Sequence, residues 1–500
     1  MRSSDIKISL GLFVAALLVR IAVVWLWQFD GLYGQDAYAY YDNAKVIHSA
    51  FPDLARIADE YWPVGKAAPI GYPASMALLF VFLGNDPMAG QLISLLAGSL
   101  VAPLLFLFTV KLLRLQSWED TEATVAGVVA GILASISGVL VRSSTVVMSD
   151  ALGLCLALIA VIFALRFEET QRLKSLLLLA IATALMIIVR ISNGLIALVI
   201  IAYIFFYVFR RHGIPAVQVS LSSLAGLVIL LPQLWLINHS HGAVVTESAV
   251  GNWKLGNILS SHFETLNGQQ DYMLPNFLFY LAPIVYPSYL TPLMLPALVA
   301  GVAVSAKRKN GRSLILLLGW IVIVYVVLVG SPLQNLRYAE TYFPPVSILA
   351  GIGFASIVRR WNLRNSVQLL WIGISVLSMA IPGFFSLDKF LEIKATEMQV
   401  VQWVDVNTST ETNILSFGIT PALKHYARRN ISELYYQDTT SLGGILQPGK
   451  ALVILDQANI ETQWRGTRLL TLVSWIREHY SLTEMERVKN YTVFRVGKAS

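Results

Sequence analysis

The first long polar segment of the chain, residues 30–69, carries side chains suited to acid–base chemistry. It places Asp36 soon after the first apolar stretch and follows it with Tyr38 and Asp42. A carboxylate within hydrogen-bonding reach of a hydroxyl or amine proton can act as a general base. Aspartate is also a good helix N-cap, and an interfacial helix is predicted to begin near Ala37. The position of Asp36 in the sequence supports these two interpretations equally.

A second group of charged and polar residues lies at the predicted non-cytoplasmic ends of apolar segments. Its members are Arg142, Ser149, Asp150, Arg190, Ser192, Asn193, Arg337, Tyr338 and Glu340. Arginines at this side run against the usual charge bias of membrane proteins, so each needs a reason. A guanidinium group suits a lipid phosphate geometrically, whereas a lone arginine that reaches ordinary headgroups would be structural. Three arginines on the side of Asp36 favour a phosphate-binding site that Tyr38, Asp42, Asp150 and Tyr338 would shape.

Two other basic residues have a structural interpretation as their default. Lys66, near the end of the first polar segment, is within reach of a donor phosphate, but a solvated loop lysine is the simpler assignment. Arg20 falls inside the first apolar segment, where a charge is costly and usually faces a partner or a cavity. We expect Arg20 to form a structural ion pair with Asp30 or Asp150.

No residue pattern in the chain requires a metal. His239 and His241 are two positions apart, and His262 and Glu264 fall in the same long segment. Two histidines without a placed third ligand are a weak signal, and loop histidines are usually solvated. The single cysteine, Cys155, lies in an apolar run, which excludes a disulfide framework and a cysteine metal site. The sequence therefore predicts no cofactor, with a divalent metal left as an open alternative.

The elements that position these side chains follow from composition. Of 500 residues, 56% are hydrophobic and 13% are charged, and the formal net charge is +7. Soluble domains carry about 25% charged residues, so repeated apolar runs of bilayer-spanning length indicate a polytopic membrane protein. The basic residues cluster between those runs, as in cytoplasmic loops, which argues against nucleic-acid binding.

About 11 membrane spans are predicted, at residues 8–29, 88–113, 122–141, 148–167, 174–190, 193–209, 215–237, 281–306, 312–330, 339–358 and 366–386. The apolar segment 70–84 is too short to cross and is predicted to be re-entrant or interfacial. With a cytoplasmic N-terminus, every cytoplasmic loop is basic, as the positive-inside rule requires. We therefore expect a plasma-membrane protein whose C-terminus is extracytoplasmic.

The composition changes after Ser386, where charged residues and short alternating patterns replace the apolar runs. The sequence predicts a membrane domain at residues 1–387 and an extracytoplasmic α/β domain at residues 388–500. A helix is predicted at 390–408, and then strands and helices in the order NILSFGI, TPALKHYARR, ISELYY, KALVILD, LLTLVSWIREHY and NYTVFRV.

Five passages follow one another in order along the membrane region: DAYAYYDNAK at Asp36–Lys45, APIGYPASMALLFVFLG at Ala68–Gly84, MSDALGLCLALIAVIFALRF at Met148–Phe167, RISNGLIAL at Arg190–Leu198 and RYAETYFPPVSILAGIG at Arg337–Gly353. Together they resemble the polytopic GT-C glycosyltransferases, in particular the family 39 group of protein O-mannosyltransferases and lipid A aminoarabinose transferases. The chain departs from the group at Asp36-Ala37, where many relatives have Asp-Glu. It also has Lys66-Ala67-Ala68-Pro69 where many have Lys-Pro-Pro.

The resemblance implies an inverting transferase that takes a sugar from a polyprenyl-phosphate carrier in the membrane. The acceptor would be a glycan, a lipid or a protein. The resemblance assigns the catalytic carboxylate to Asp36, the phosphate ligands to Arg337, Arg190 and Lys66, and a site-shaping role to Asp150. It also implies an external soluble domain after the last span.

Two other classes of function compete with a transferase. A transporter or flippase of lipid-linked sugars usually shows internal repeats and ionisable residues at mid-membrane, whereas the sequence has no evident repeat and its acids cluster toward one face. A non-catalytic assembly subunit would suit the α/β domain equally well. It would leave Asp36 and the outer arginines without a task, so the transferase is favoured.

Overall fold

The computed structural model describes residues 2–61, 69–239, 252–265, 268–307, 311–312 and 314–498 of the chain. The chain divides into two compact units. The membrane unit comprises Met1–Ile258 and Asn276–Leu387, and the C-terminal unit comprises Leu259–Pro275 and Asp388–Ser500. The segment Leu259–Pro275 therefore belongs to the C-terminal unit, although membrane helices flank it in the sequence.

The membrane unit is built from helices. Apolar runs become helices in a bilayer because a helix satisfies every backbone polar group within its own segment. The helices in chain order are α1 Ser3–Trp27, α2 Gly34–Ala50, α3 Leu54–Glu60, α4 Gly71–Leu83, α5 Met88–Arg114, α6 Asp120–Ile136, α7 Gly138–Thr145, α8 Ser149–Thr170, α9 Leu173–Val189, α10 Gly194–Ile204, α11 Arg210–His212, α12 Ala216–His239, α13 Asn276–Phe279, α14 Ala282–Val285, α15 Leu295–Lys307, α16 Gly319–Val329, α17 Leu336–Ala339, α18 Phe343–Trp361 and α19 Asn365–Asn407. The part of α19 after Leu387 belongs to the C-terminal unit.

The predicted polytopic helical architecture is confirmed. Within the described residues, seven helical segments are long and apolar enough to cross a membrane, and α6 with α7 makes an eighth that is bent by 57°. The seven are Ser3–Trp27, Met88–Arg114, Ser149–Thr170, Ile191–Phe209, Ala216–His239, Leu336–Trp361 and Asn365–Asn407. The predicted spans 174–190 and 312–330 correspond to shorter apolar helices, Leu173–Val189 and Ile315–Val329.

Two predicted boundaries are wrong. The predicted span 281–306 is not one helix, because it is divided between the apolar segments Asn276–Val285 and Pro292–Lys307. Proline lacks the amide proton that a helix interior needs, and Pro287 falls in the break. The predicted helices 366–386 and 390–408 are instead the single helix α19.

Arg20 stabilises the break between α6 and α7. Its Nη1 donates to the carbonyl oxygen of Ser135 at 3.3 Å, and its Nε donates to Ser144 Oγ at 3.0 Å. A broken helix leaves backbone carbonyls without intrahelical partners, which is costly in an apolar environment. The predicted ion pair of Arg20 with Asp30 or Asp150 is therefore wrong, since the side chain bonds to two backbone carbonyls, of Ala16 and Ser135, and to a hydroxyl instead.

Close helix contact in the membrane unit depends on glycine where α15 crosses α18. A β-carbon on Gly301 would overlap the carbonyl oxygen of Leu349, and one on Gly353 would overlap the carbonyl oxygen of Ala297. Small residues at such crossings let two backbones approach closely and gain van der Waals contact in a membrane. The two glycines therefore fix the distance between α15 and α18.

We expect Gly353→Ala to destabilise the protein by about 1–3 kcal/mol, the usual cost of overpacking a tight core. Gly373→Ala in α19 is the matched control, because a β-carbon there meets nothing within 4 Å. Alanine should be neutral or slightly favourable at that position, since it is the better helix former. The measurement is the thermal unfolding midpoint of each variant in the same detergent. Equal midpoints for the two variants would contradict the assigned role of Gly353.

The C-terminal unit contains a five-stranded sheet, whose strands are β3 Asn413–Ser416, β4 Asn430–Glu433, β5 Ala451–Asp456, β6 Tyr480–Val488 and β7 Tyr491–Lys498. The strand order is β4-β3-β5-β7-β6. Strands β3, β4 and β5 are parallel, whereas β7 pairs antiparallel with both β5 and β6. The central strand β5 is an apolar run that is buried almost throughout, as a strand covered on both faces should be. The helices of this unit are α20 Thr420–Tyr426, α21 Thr439–Ile445, α22 Gln457–Thr462 and α23 Arg468–His479.

Two strands of the C-terminal unit come from an unexpected part of the chain. The hairpin β1 His262–Thr265 and β2 Gly268–Asp271 lies in the segment that precedes α13. The amide of Gln269 donates to the carbonyl oxygen of Gln463 at 2.6 Å, which ties the hairpin to the rest of the unit. Strand β6 was also not predicted, because its residues are mostly exposed and carry few apolar side chains.

Candidate active site

Asp36 lies in the first turn of α2, whose N-cap is Tyr33. The N-cap interpretation of Asp36 is therefore wrong, since Tyr33 occupies that position. The chain before α2 is held by Gln91 of α5. Gln91 Nε2 donates to the carbonyl oxygens of Phe29 at 2.8 Å and Thr145 at 3.0 Å. This one amide therefore fixes the start of α2 against the segment that precedes α8.

The approach of these two segments requires glycine at position 31. Gly31 has a φ of +87°, and a β-carbon there would lie 2.9 Å from Val147 Cγ2 and 3.1 Å from Gln91 Cβ. The amide of Val147 donates to the carbonyl oxygen of Gly31 at 2.8 Å. A larger residue would be both strained and crowded, so the local sequence sets where Asp36 stands.

Two arginines and two aspartates form a single ion cluster. Arg337 Nη1 donates to Asp36 Oδ2 at 2.8 Å, and Arg337 Nε lies 3.1 Å from Asp150 Oδ1. Arg190 Nη1 donates to the same Asp150 oxygen. Asp36 and Arg337 are 301 positions apart in sequence, so only the tertiary fold brings them together. We call Asp36, Asp150, Arg190 and Arg337 the ion cluster.

The members of the ion cluster differ strongly in exposure. The Asp150 side chain is 1% exposed, Arg190 11%, Arg337 17% and Asp36 53%. The buried Asp150 carboxylate compensates the charge of the two guanidinium groups and orients them. Asp36 keeps one side open to a reactant. Such an arrangement can hold an anionic phosphate with arginine and accept a proton with aspartate.

Helix ends place the other three members of the ion cluster. Asp150 is in the first turn of α8, Arg190 is the C-cap of α9, and Arg337 is the second residue of the short α17. Asn335 Oδ1 accepts from the amide of Arg337 at 3.0 Å, which fixes that helix start. A β-carbon on Gly153, one turn after Asp150, would lie 3.1 Å from Arg190 Cβ. Glycine at this position therefore permits the close approach of Arg190 to α8.

Tyr40 adds a neutral hydroxyl beside the ion cluster. It lies one helical turn after Asp36, and its OH is 3.0 Å from Ser149 Oγ. Burial, with the negative charge of Asp36, raises the pKa of Tyr40 to about 12. The hydroxyl therefore stays protonated near neutral pH. Its ring also meets the Tyr72 ring edge-on, with 5.2 Å between centroids.

Glu340 is a second buried carboxylate near the ion cluster. Ser143 Oγ donates to its Oε1 at 2.7 Å, and its Oε2 has no hydrogen-bond partner among the residues that the structure describes. The charges of Asp150, Arg190 and Arg142 act on Glu340. Arg142, a predicted phosphate ligand in the last turn of α7, therefore interacts electrostatically with this carboxylate.

The other residues that were predicted to shape the site, Tyr338, Asp42 and Tyr38, have different surroundings in the structure. The guanidinium carbon of Arg337 lies 5.5 Å from the centroid of the Tyr338 ring, a cation–π distance that joins Tyr338 to the ion cluster. Asp42 pairs with Lys45 at 2.6 Å on the exposed side of α2. Tyr38 is buried.

Two of the residues singled out from sequence, Lys66 and His241, lie outside the described residues. His262 Nδ1 is 2.6 Å from Asp271 Oδ1 in the C-terminal unit. In the part of the chain that the structure describes, no group of three or more His, Cys, Asp or Glu side chains is placed to hold a metal ion.

Sequence reasoning assigned no role to Gln91, Tyr40 or Glu340. Gln91 and Glu340 carried a usable signal, because a strongly polar side chain next to or within an apolar run is costly and usually has a specific partner. Tyr40 carried none, since three tyrosines fall within four positions and only the fold selects which one faces Ser149.

Comparison with known proteins gives one family match and several structural matches. Residues 67–236 match the family model of dolichyl-phosphate-mannose-protein mannosyltransferases. ArnT from Cupriavidus metallidurans bound to undecaprenyl phosphate gives a TM-score of 0.62 at 12% identity, with 99% of this chain and 98% of ArnT covered. The oligosaccharyltransferase AglB from Archaeoglobus fulgidus, in complex with an inhibitory peptide and a dolichol-phosphate, gives 0.59 at 11% identity, with 98% and 74% covered. No curated protein sequence matches the chain.

These matches establish the architecture of the chain. ArnT and AglB are GT-C proteins, and each aligns with nearly the whole chain, including the C-terminal unit. The predicted GT-C fold class, a helical membrane region followed by a soluble α/β region, is therefore confirmed. At sequence identities of 11% and 12%, these matches show the fold alone. The roles of the residues in the ion cluster are therefore argued from their geometry.

Proposed function

We propose that this membrane protein of GT-C fold is an inverting glycosyltransferase that moves a sugar from a polyprenyl-phosphate carrier to an acceptor hydroxyl or amine on the non-cytoplasmic face. The observation that carries the proposal is the contact of Arg337 with exposed Asp36 on one side and buried Asp150 on the other. Arg337, a candidate ligand of the phosphate, is thereby in direct contact with Asp36, the candidate base.

Asp36 has the position and exposure of a general base. It is the most exposed member of the ion cluster, and its carboxylate can accept the proton of an incoming hydroxyl or amine. The acceptor oxygen or nitrogen then bonds to the anomeric carbon of the sugar from the face opposite the carrier. The bond from that carbon to the phosphate oxygen breaks, and the electron pair leaves with the polyprenyl phosphate. A single in-line displacement of this kind inverts the anomeric carbon.

Arg337 and Arg190 would hold the carrier phosphate. Negative charge grows on the phosphate as it leaves, and guanidinium groups that are already oriented stabilise that charge without reorganising. Asp150 provides the orientation, since both arginines reach the same carboxylate oxygen. The bound undecaprenyl phosphate of ArnT and the dolichol-phosphate of AglB support a lipid phosphate as the ligand of this chain.

Phosphate binding and base activation are coupled through Arg337 in this proposal. A donor phosphate at Arg337 would share the guanidinium with Asp36 and weaken the existing ion pair. The Asp36 carboxylate, less neutralised, would then be a better proton acceptor. Asp36 would then accept a proton readily only when a donor phosphate is bound at Arg337. This dependence would limit hydrolysis of the donor by water.

The test is turnover of radiolabelled polyprenyl-phosphate hexose by the purified protein, supplied with an extract of cell-envelope glycans and lipids as the acceptor. We expect labelled sugar to leave the carrier and unlabelled polyprenyl phosphate to accumulate in equal amount. The same protein in sealed liposomes distinguishes a transporter, which would move the intact donor across the bilayer without cleaving it. Movement of intact donor with no cleavage, across a panel of hexose and pentose donors, would overturn the proposal.

A further inference from the structure

A cavity of about 480 Å³ lies at the opposite end of α8 from the ion cluster. Asp150 lies in the first turn of this helix, and Thr170, which lines the cavity, ends it. At 1.5 Å rise per residue, these ends are about 30 Å apart, so the cavity is separate from the proposed donor site. Residues of α1, α5 and α8 line it, at the end of the membrane unit where α1 begins.

The cavity has a basic rim and an apolar floor. Its lining includes three pairs of residues four positions apart, each a basic residue and an apolar one on the same helix. The pairs are Lys111 with Leu107, Arg114 with Val110, and Arg166 with Ile162. Residues four apart lie on one helix face, one turn along the axis, so each apolar side chain stands about 6 Å deeper than its basic partner.

One charge at the rim is uncompensated. Lys111 Nζ lies 2.5 Å from Glu169 Oε2, and Arg114 Nη1 lies 2.7 Å from Asp5 Oδ2. Arg166 is exposed, and within the described residues it forms no ion pair with an acid. The rim therefore offers one open guanidinium group directly above an apolar floor.

We infer that this cavity binds an anionic phospholipid, with the lipid phosphate at Arg166 and the glycerol–acyl region on the floor formed by Leu107, Val110 and Ile162. Basic pockets between membrane helices suit anionic headgroups, since each basic residue near the surface contributes about 1 kcal/mol. A free phosphate ion would satisfy the rim and leave the apolar floor uncovered. The predicted topology assigns this end of the membrane unit to the cytoplasmic leaflet.

The test is binding of phosphatidylglycerol to the purified full chain in detergent, followed by native mass spectrometry over a lipid titration. Arg166→Gln is expected to weaken binding about fivefold, from the roughly 1 kcal/mol per basic residue. Arg172→Gln removes the same charge from an exposed position just after α8 and outside the cavity. It should change the affinity less than twofold. Equal losses in the two variants would overturn the site in favour of general surface attraction.

A second variant separates shape from charge. Leu107→Trp fills the apolar floor without changing any charge, and we expect it to weaken phosphatidylglycerol binding at least as much as Arg166→Gln. Thermal unfolding and size exclusion establish that each variant is folded before its affinity is compared. Unchanged binding in Leu107→Trp would overturn the proposal. Equal binding of phosphatidylcholine, or displacement of the lipid by millimolar inorganic phosphate, would also overturn it, because each shows that the cavity does not recognise the whole lipid.

Discussion

Asp36→Asn is expected to lower the rate of sugar transfer by about 10²–10⁴-fold, the range of a lost general base. Asparagine has the same shape, and its amide oxygen can still accept the hydrogen bond from Arg337 Nη1 that Asp36 accepts at 2.8 Å. It cannot take up a proton, so the acceptor must lose its proton to water instead. The measurement is the initial rate at saturating donor, with donor affinity determined separately and expected to change by only a few-fold.

The matched control for Asp36→Asn is Asp59→Asn in α3, which removes an exposed carboxylate from the same polar segment. We expect its transfer rate to stay within twofold of the wild-type rate. Turnover that is unchanged in Asp36→Asn would remove this carboxylate from the mechanism. A fall in rate that is fully explained by lost donor binding would reassign Asp36 to holding Arg337 in place.

The sequence predicted the polytopic helical architecture and the four residues that the structure brings together in the ion cluster, because both stand out in local patterns. Apolar runs of spanning length define most membrane helices, and charged residues at their ends, such as Asp150 and Arg190, stand out against an apolar background. What escaped prediction depends on contacts between distant segments. No local pattern shows that the break between α6 and α7 would meet Arg20, or that Gln91 would hold the start of α2.

The same limit explains the errors in the C-terminal unit. The sequence predicts Leu259–Pro275 as part of the membrane region, because the segment lies between membrane helices in the chain, whereas the structure places it in the C-terminal unit. Strand β6 lies at the edge of its sheet, where exposed polar residues are tolerated and the apolar alternation of a strand is weak. Both elements are held by pairing with partners elsewhere in the chain.

Arg337→Gln is expected to lower kcat by about 10²–10³-fold, the effect of removing one preorganised donor from a developing anion. The side chain is 17% exposed and bridges Asp36 and Asp150, so its charge acts where solvent screens it weakly. Arg337→Lys keeps the charge but loses the planar fork that spans both carboxylates, and it should recover only part of the rate. The measurements are kcat and KM for the donor in both variants.

Whether Arg337→Gln changes kcat or KM distinguishes two possible roles of Arg337. Removing a guanidinium that binds the ground state and the transition state equally would raise KM and leave kcat unchanged. Removing one that meets charge only as the phosphate leaves would lower kcat. Arg360→Gln, an exposed arginine at the far end of the span Leu336–Trp361, is the control and should retain both constants. A raised KM with wild-type kcat in Arg337→Gln would mean that this arginine binds the donor but does not stabilise the leaving phosphate. Loss of kcat in the glutamine variant with partial recovery in the lysine variant would place the growing negative charge at Arg337, one side chain away from the base.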